Sequence, residues 1–167
     1  MTSPTPIPTP TPAPEANRPE DAEPAALFDA VATEHAAIYG YGVVSAHVMP
    51  EDNELVSEAV AQHRDRREAA IAILKERSIT APLPAAGYQL PFPVTGPIGA
   101  AKLAVRMESD CAVAWRAVLE QSSGEGTAEA DRAFALTALT QSALMAARWR
   151  QQLGAWPVTE AFPGGTE

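Results

Sequence analysis

Cysteine is almost missing from this chain: Cys111 is the single one in 167 residues, so no internal disulfide can form and a stapled scaffold is excluded. No charged-then-apolar secretory leader and no apolar run of about 20 residues is present, which makes a reduced, cytoplasmic protein the expectation. Positive charge is scarce as well. Twelve Lys and Arg stand against 21 Asp and Glu, for a formal net charge of -9, and such a field repels phosphate backbones and anionic lipid. Neither nucleic acid nor membrane is an expected partner. Phosphate loops, zinc clusters and dinucleotide fingerprints are absent; Gly96-Pro97-Ile98-Gly99 looks like a loop into a helix but lacks the further glycine and lysine. No Ser/His/Asp arrangement is visible for nucleophilic catalysis.

What is there is apolar enough to fold. With 46% hydrophobic and 20% charged residues, the chain has the composition of one globular domain with a real core. Proline organises it. Eight of the 16 prolines precede Ala25, in alternating Pro and Thr or Ala, and residues 1–24 read as an extended arm unable to bury a core. Docking into an SH3-like groove is one use for such an arm; a spacer is the plainer one. The proline-free runs that follow predict four helices, at about 24–48, 53–77, 97–121 and 128–153. Pro24 suits a first turn, Asp52 or Asn53 can cap the second helix, and Gly154 suits a helix stop. Residues 155–167 form a C-terminal tail expected to pack back on the helices through Trp156 and Phe162.

The connection over 78–96 is long, proline-rich and without helical pattern. Helices of about 25 residues span about 37 Å, whereas 18 extended residues reach about 59 Å, so this connection can run from one end of a bundle to the other. The expected fold is therefore all-α: over 25–154, an antiparallel four-helix bundle of the ferritin-like kind, two hairpins joined by a crossover between helices two and three. An internal echo agrees. At an offset of 74 residues, Glu34 falls on Glu108, each followed seven residues later by an aromatic, Tyr41 and Trp115, and Arg67 falls on Gln141.

Glu34-His35-Ala-Ala-Ile-Tyr39-Gly-Tyr41-Gly42, His63-Arg-Asp-Arg-Arg67, Tyr88-Gln-Leu-Pro-Phe-Pro93, Ala147-Arg148-Trp149-Arg150 and Ala161-Phe-Pro-Gly164 carry a resemblance. From Leu27 to Phe162 the chain resembles a ferritin-like family of unknown function common in actinobacteria. The resemblance implies the fold and brings no established activity. Metal-binding members of the wider ferritin-like group use a lone Glu on each of two helices and a Glu-x-x-His pair on each of the others. Glu34 and Glu108 match the lone glutamates, and His63 survives without its glutamate in Val60-Ala-Gln-His63. The slot on helix four holds Gln141-Ser-Ala-Leu144, and the spacing leaves open which of His63 and Arg67 faces the centre.

Two readings follow. The preferred one is a buried polar network of Glu34, His63, Arg67, Glu108, Gln141 and Arg148, in which arginines replace a di-metal site because a buried glutamate needs a bidentate cationic partner. The protein would then be non-catalytic, without a cofactor, and would act by binding, as a homodimer or with an unidentified protein partner. The alternative is a metal-dependent oxidoreductase or iron-binding protein whose Glu34, His63 and Glu108 hold iron or manganese. His35, His47 and Cys111 read as packing residues, Tyr39, Tyr41 and Trp115 as core fillers, and the basic run His63–Arg67 as a helix surface with one inward arginine.

Overall fold

The computed structural model describes residues 18–124 and 126–165; most of the proline-rich arm lies outside them. Four long helices, α1 (Ala22–Ser45), α2 (Asn53–Glu76), α3 (Pro97–Gln121) and α4 (Thr127–Gln152), make up the fold, and no strand occurs among the described residues. Each start and stop has a local cause. Pro24 lies in the first turn of α1 and Pro97 opens α3, where a missing N–H costs nothing. The first helix stops at Ser45, three residues short of the expected end, because Pro50 requires Met49 to be extended (ψ 152°) and His47 Nδ1–H turns back to the Val43 carbonyl at 2.9 Å. No side chain caps α2; a single 3-10 turn at Pro50–Asp52 runs directly into it, and Glu54 in its first turn complements the dipole. Gly154, at φ 62°, ends α4 as a left-handed stop, with Gly154 N–H bonded to Gln151 and Ala155 N–H to Arg150.

The interior is arranged in three layers. One apolar cluster gathers Leu27, Val31, Leu74, Trp115, Val118 and Ala135. A second gathers Tyr41, Val44, Leu55, Leu103, Met145 and Trp149. On α2, α3 and α4 the residue numbers between those two clusters belong to buried polar side chains, His63 and Arg66, Glu108 and Ser142, and on α1 the buried Glu34 lies at the same boundary, followed by Ala37 of the first cluster. Alanine fills much of the remaining interior, as at Ala30, Ala59, Ala70, Ala104 and Ala138, and lets the helices approach closely. Gly40 marks the tightest point, where a Cβ would collide with the Met107 side chain of α3.

Two further features tie the helices together. Arg77, just past the end of α2, pairs with Glu23 in the first turn of α1 and with Asp131 in the first turns of α4. The connection from Ser78 to Gly96 has no regular structure but is docked: its Pro82 carbonyl accepts the His35 Nε2–H at 3.2 Å, and Tyr88 packs on Tyr39 with ring centroids 5.3 Å apart. Ile79, Leu90, Phe92 and Val94 feed its apolar side chains into the two clusters. Among the described residues, no helix is long and apolar enough to cross a membrane.

Candidate functional site

The charged groups of the polar layer come from one position on each of α1 and α3 and two on α2. Glu34 and Glu108 project inward from α1 and α3, while His63 and Arg66, three residues apart and thus on one helical face, project from α2. His63 is the bridge. Its Nδ1 lies 2.6 Å from Glu34 Oε2 and its Nε2 3.1 Å from Glu108 Oε1. Both ring nitrogens face carboxylate oxygens, which as acceptors favour the doubly protonated imidazolium, whereas the Arg66 Nη2 donor beside Nδ1 opposes it. The two carboxylates prevail, and the imidazole pKa is raised. Arg66 donates from Nε to Glu34 Oε1 at 3.0 Å and from Nη1 to the Gln141 side-chain oxygen at 3.3 Å, and its Nη2 rests 2.8 Å from His63 Nδ1. Two carboxylates thus face two cations, and the layer carries no net charge.

Aromatic side chains finish the shell. Trp115 Nε1–H donates to Glu34 Oε1 at 2.6 Å, Tyr41 O–H donates to Glu108 Oε1 at 2.7 Å, and Trp149 Nε1–H donates to the Tyr41 hydroxyl at 2.9 Å. Glu34 therefore has both oxygens occupied. Glu108 does not: its Oε2 is buried without a partner among the described residues, as is Ser142 Oγ. Cys111 sits beside the layer, its ligand atom within 4.8 Å of those of Glu34 and His63.

The electrostatics follow from this geometry. Burial alone would raise the Glu34 pKa, yet the hydrogen bond and charge of His63, the charge of Arg66 and the indole of Trp115 hold it below the usual carboxylate value. Burial would lower that of His63, but its hydrogen bonds to Cys111, Glu108 and Glu34 raise it well above the ordinary imidazole value. Arg66 is likewise raised, with the loss of solvent outweighed by Glu34. Burial pushes the Tyr41 phenol far up, with the Glu108 charge adding to it, and burial pushes the Cys111 thiol up to about 12.

Of the residues expected in the centre, the structure brings Glu34, His63 and Glu108 into contact and places Gln141 at their edge, half-buried and touching Arg66. Two arginines are corrected. Arg67 lies on the outer flank of α2 and pairs with its neighbour Glu68, and Arg148 is exposed, paired with Glu58 at 2.6 Å. A shift of one residue turns a helical position by about 100°, and the inward positions are Arg66 and Trp149, each next to the expected Arg67 and Arg148. On α2 the inward stripe runs through Ala59, His63, Arg66, Ala70 and Leu74, with Val60 and Ile71 half-buried on its flanks; on α4 it runs through Ala138, Ser142, Met145 and Trp149. Counting alanine as apolar is the signal that finds Arg66. The tyrosine hydroxyl and the two indole N–H groups carry no periodicity signal beyond that of core aromatics.

A family model described as Domain of unknown function (DUF4439) matches residues 26–167. Among solved structures, the chain is similar to the crystal structure of a conserved hypothetical protein, rv2844, from Mycobacterium tuberculosis, at 57% sequence identity and a TM-score of 0.76, covering 85% of this chain and 97% of that one. No curated protein matches the chain.

Proposed function

We propose that this chain, which belongs to the family described as Domain of unknown function (DUF4439), is a ferritin-like four-helix bundle that acts by binding rather than by catalysis. Its charge-balanced centre of Glu34, His63, Arg66 and Glu108 stands where a di-metal site would be. The order of the layers supports the ferritin-like arrangement. Along α1 and α4 the chain passes from the Leu27–Trp115 cluster to the Tyr41–Trp149 cluster, along α2 and α3 the reverse, and Ser78–Gly96 is the long crossover this demands.

The observation that carries the non-catalytic reading is the engagement of Glu34 and His63 by fixed partners. Glu34 Oε1 accepts from Arg66 and Trp115, its Oε2 from His63, and His63 spends its second nitrogen on Glu108. Iron or manganese needs deprotonated imidazole and free carboxylate lone pairs. Here both nitrogens of the imidazole and both oxygens of Glu34 are engaged, of the carboxylate oxygens only Glu108 Oε2 is left bare among the described residues, and a guanidinium is fixed beside them, so the residues do not fit the metal. One observation favours a second reading, a single ion held by Glu34, His63 and Cys111, whose ligand atoms lie within 4.8 Å of one another. Against it, burial pushes the Cys111 thiol pKa up to about 12, so an ion bound there would have to displace a proton from a fully buried group.

In this reading the protein works in the cytoplasm as a homodimer or with a protein partner. Support comes from large apolar side chains left in solvent, among them Leu83 at 87% and Trp156 at 89% exposure. Trp156 and Phe162 thus do not pack back on the helices as their sequence context suggests, the tail being held instead by the Arg150–Glu160 pair. Metal analysis of protein purified without chelator tests the centre. Native protein and Glu34→Ala are expected to carry the same trace iron and manganese, well below one ion per chain. Stoichiometric metal in the native protein, lost in Glu34→Ala, overturns the reading in favour of the metal centre.

A further inference from the structure

A groove of about 420 Å³ lies between α1, α3 and the connection over residues 78–96. Ala36 and Gly40 keep its α1 side low, and Tyr39 and Tyr88 stand along it with their rings tilted at 49° and their centroids 5.3 Å apart. Its rim is rich in unspent donors. The Tyr39 hydroxyl, the Gln89 amide and both Nη groups of Arg106 donate to no acceptor among the described residues, and the Tyr88 hydroxyl only accepts, from the Ala85 N–H at 3.1 Å. The rim carboxylate is already taken: both oxygens of Asp110 lie 2.9 Å from Arg106 Nε.

The chain enters the fold beside this groove. Arg18 clamps Asp29 on α1, with Nε 2.8 Å from Oδ1 and Nη2 2.6 Å from Oδ2. Asp29, Thr33, Ala36 and Gly40 follow one another at helical spacing and share one face of α1, and the last three line the groove. From Asp29 to Gly40 that face extends about 16 Å. Pro8, Pro10, Pro12 and Pro14 precede Arg18 and lie outside the described residues. In polyproline geometry the step from Arg18 to Pro14 spans about 12 Å and the step on to Pro8 about 19 Å, enough to reach the groove and run its length.

We propose that this groove is a site for a polyproline-type strand and that its occupant is residues 8–14 of the same chain. Apolar rings and exposed tyrosine faces suit proline, and a strand that is extended before it binds loses little entropy on docking. Alternating proline leaves a carbonyl acceptor at every residue but an N–H at only every second one, which matches a rim of donors whose one carboxylate is occupied. The short tether through Arg18 makes the encounter intramolecular, at an effective concentration on the order of millimolar, and so favours the chain's own arm over that of a second copy.

Paramagnetic NMR of the full chain tests this. Thr5→Cys places a nitroxide three residues beyond the docked segment, while Cys111, buried and with its thiol pKa pushed up to about 12, stays unlabelled. The amide signals of residues 36–40, 89 and 90 are expected to broaden, and those of α4 to stay sharp. Pro10→Gly combined with Pro12→Gly should abolish the broadening, and so should Tyr88→Ala. Broadening spread evenly over the surface, broadening centred elsewhere, or broadening that survives either change in folded protein overturns the proposal. So does transfer between chains: groove signals broadened in an isotope-labelled chain without nitroxide, mixed with the spin-labelled one, would assign the groove to a second copy's arm. Should Tyr88→Ala fail to fold, the proline variant, altered outside the described residues, decides.

Discussion

Trp115 and Tyr41 serve each other's glutamates: the indole of Trp115 donates to Glu34 on α1, and the hydroxyl of Tyr41 donates to Glu108 on α3. Seven residues separate each glutamate from the aromatic on its own helix, close to two turns or about 10.5 Å. Because α1 and α3 pass through the layers in opposite order, that one spacing places each aromatic opposite the other helix's acid. The sequence echo between the two halves has a mechanical meaning in this exchange.

Trp115→Phe keeps the ring and removes the donor. It should cost about 1–3 kcal/mol in urea unfolding, as one oxygen of a buried carboxylate loses a partner, and should raise the Glu34 pKa toward its ordinary value of 4.5, read by carboxyl NMR titration. An unchanged Glu34 titration would show that the indole plays no part in holding it.

Arg66→Met and Arg67→Met form a matched pair. The first leaves Glu34 short of a buried cationic partner and should destabilise by about 3–5 kcal/mol. The second removes a surface pairing with Glu68 and should stay within about 0.5 kcal/mol of native. Equal losses in the two variants would contradict the placement of these side chains.

The pH dependence of stability has a defined direction. With its pKa raised above 6.5, His63 keeps in the folded chain a proton that the unfolded chain releases, so its contribution is whole below about pH 6.5 and is lost as pH rises toward the folded value. Glu34, lowered below 4.5, contributes fully above about pH 4.5 and loses that contribution as pH falls through its folded value. Both act together between those limits, where unfolding free energy should be largest. Above pH 6.5 it should decline by up to about 1.4 kcal/mol per pH unit. His63→Gln should flatten that alkaline decline; a decline of native slope in the variant would assign it to another group.

Gly164→Ala forces a side chain into a left-handed backbone position facing the Ala112 carbonyl. The expected result is local: faster amide exchange over residues 155–165, at a cost of about 1–3 kcal/mol confined to that segment. Global unfolding with loss of all four helices would place that segment in the folding core instead.

Much of the architecture was legible because proline is informative wherever it occurs. The proline-free runs gave α2 and α3 almost to the residue, and Pro97 opens α3 as the pattern requires. The glutamates were legible from their echo, and His63 from the family pattern. Arg66 was not, because in an alanine-rich helix the bulky residues Val60 and Ile71 lie on the flanks of the interface and the inward face is marked by Ala59 and Ala70. Arg148 was misplaced for the same reason, one position from the inward Trp149. Hydrogen bonds from indoles and a phenol leave no trace in a hydrophobic pattern, since the rings would be buried with or without them.

The crossover divides the charges unevenly. Severing the chain between Leu83 and Gly87, both in the exposed part of that connection, would yield one fragment holding a carboxylate with an imidazolium and a guanidinium, and another holding a carboxylate whose two donors belong to the first. Neither fragment can dry its interior alone without stranding ions of one sign. Mixed, they should neutralise one another, so a nick at that connection is expected to leave the two fragments co-eluting as one species in gel filtration.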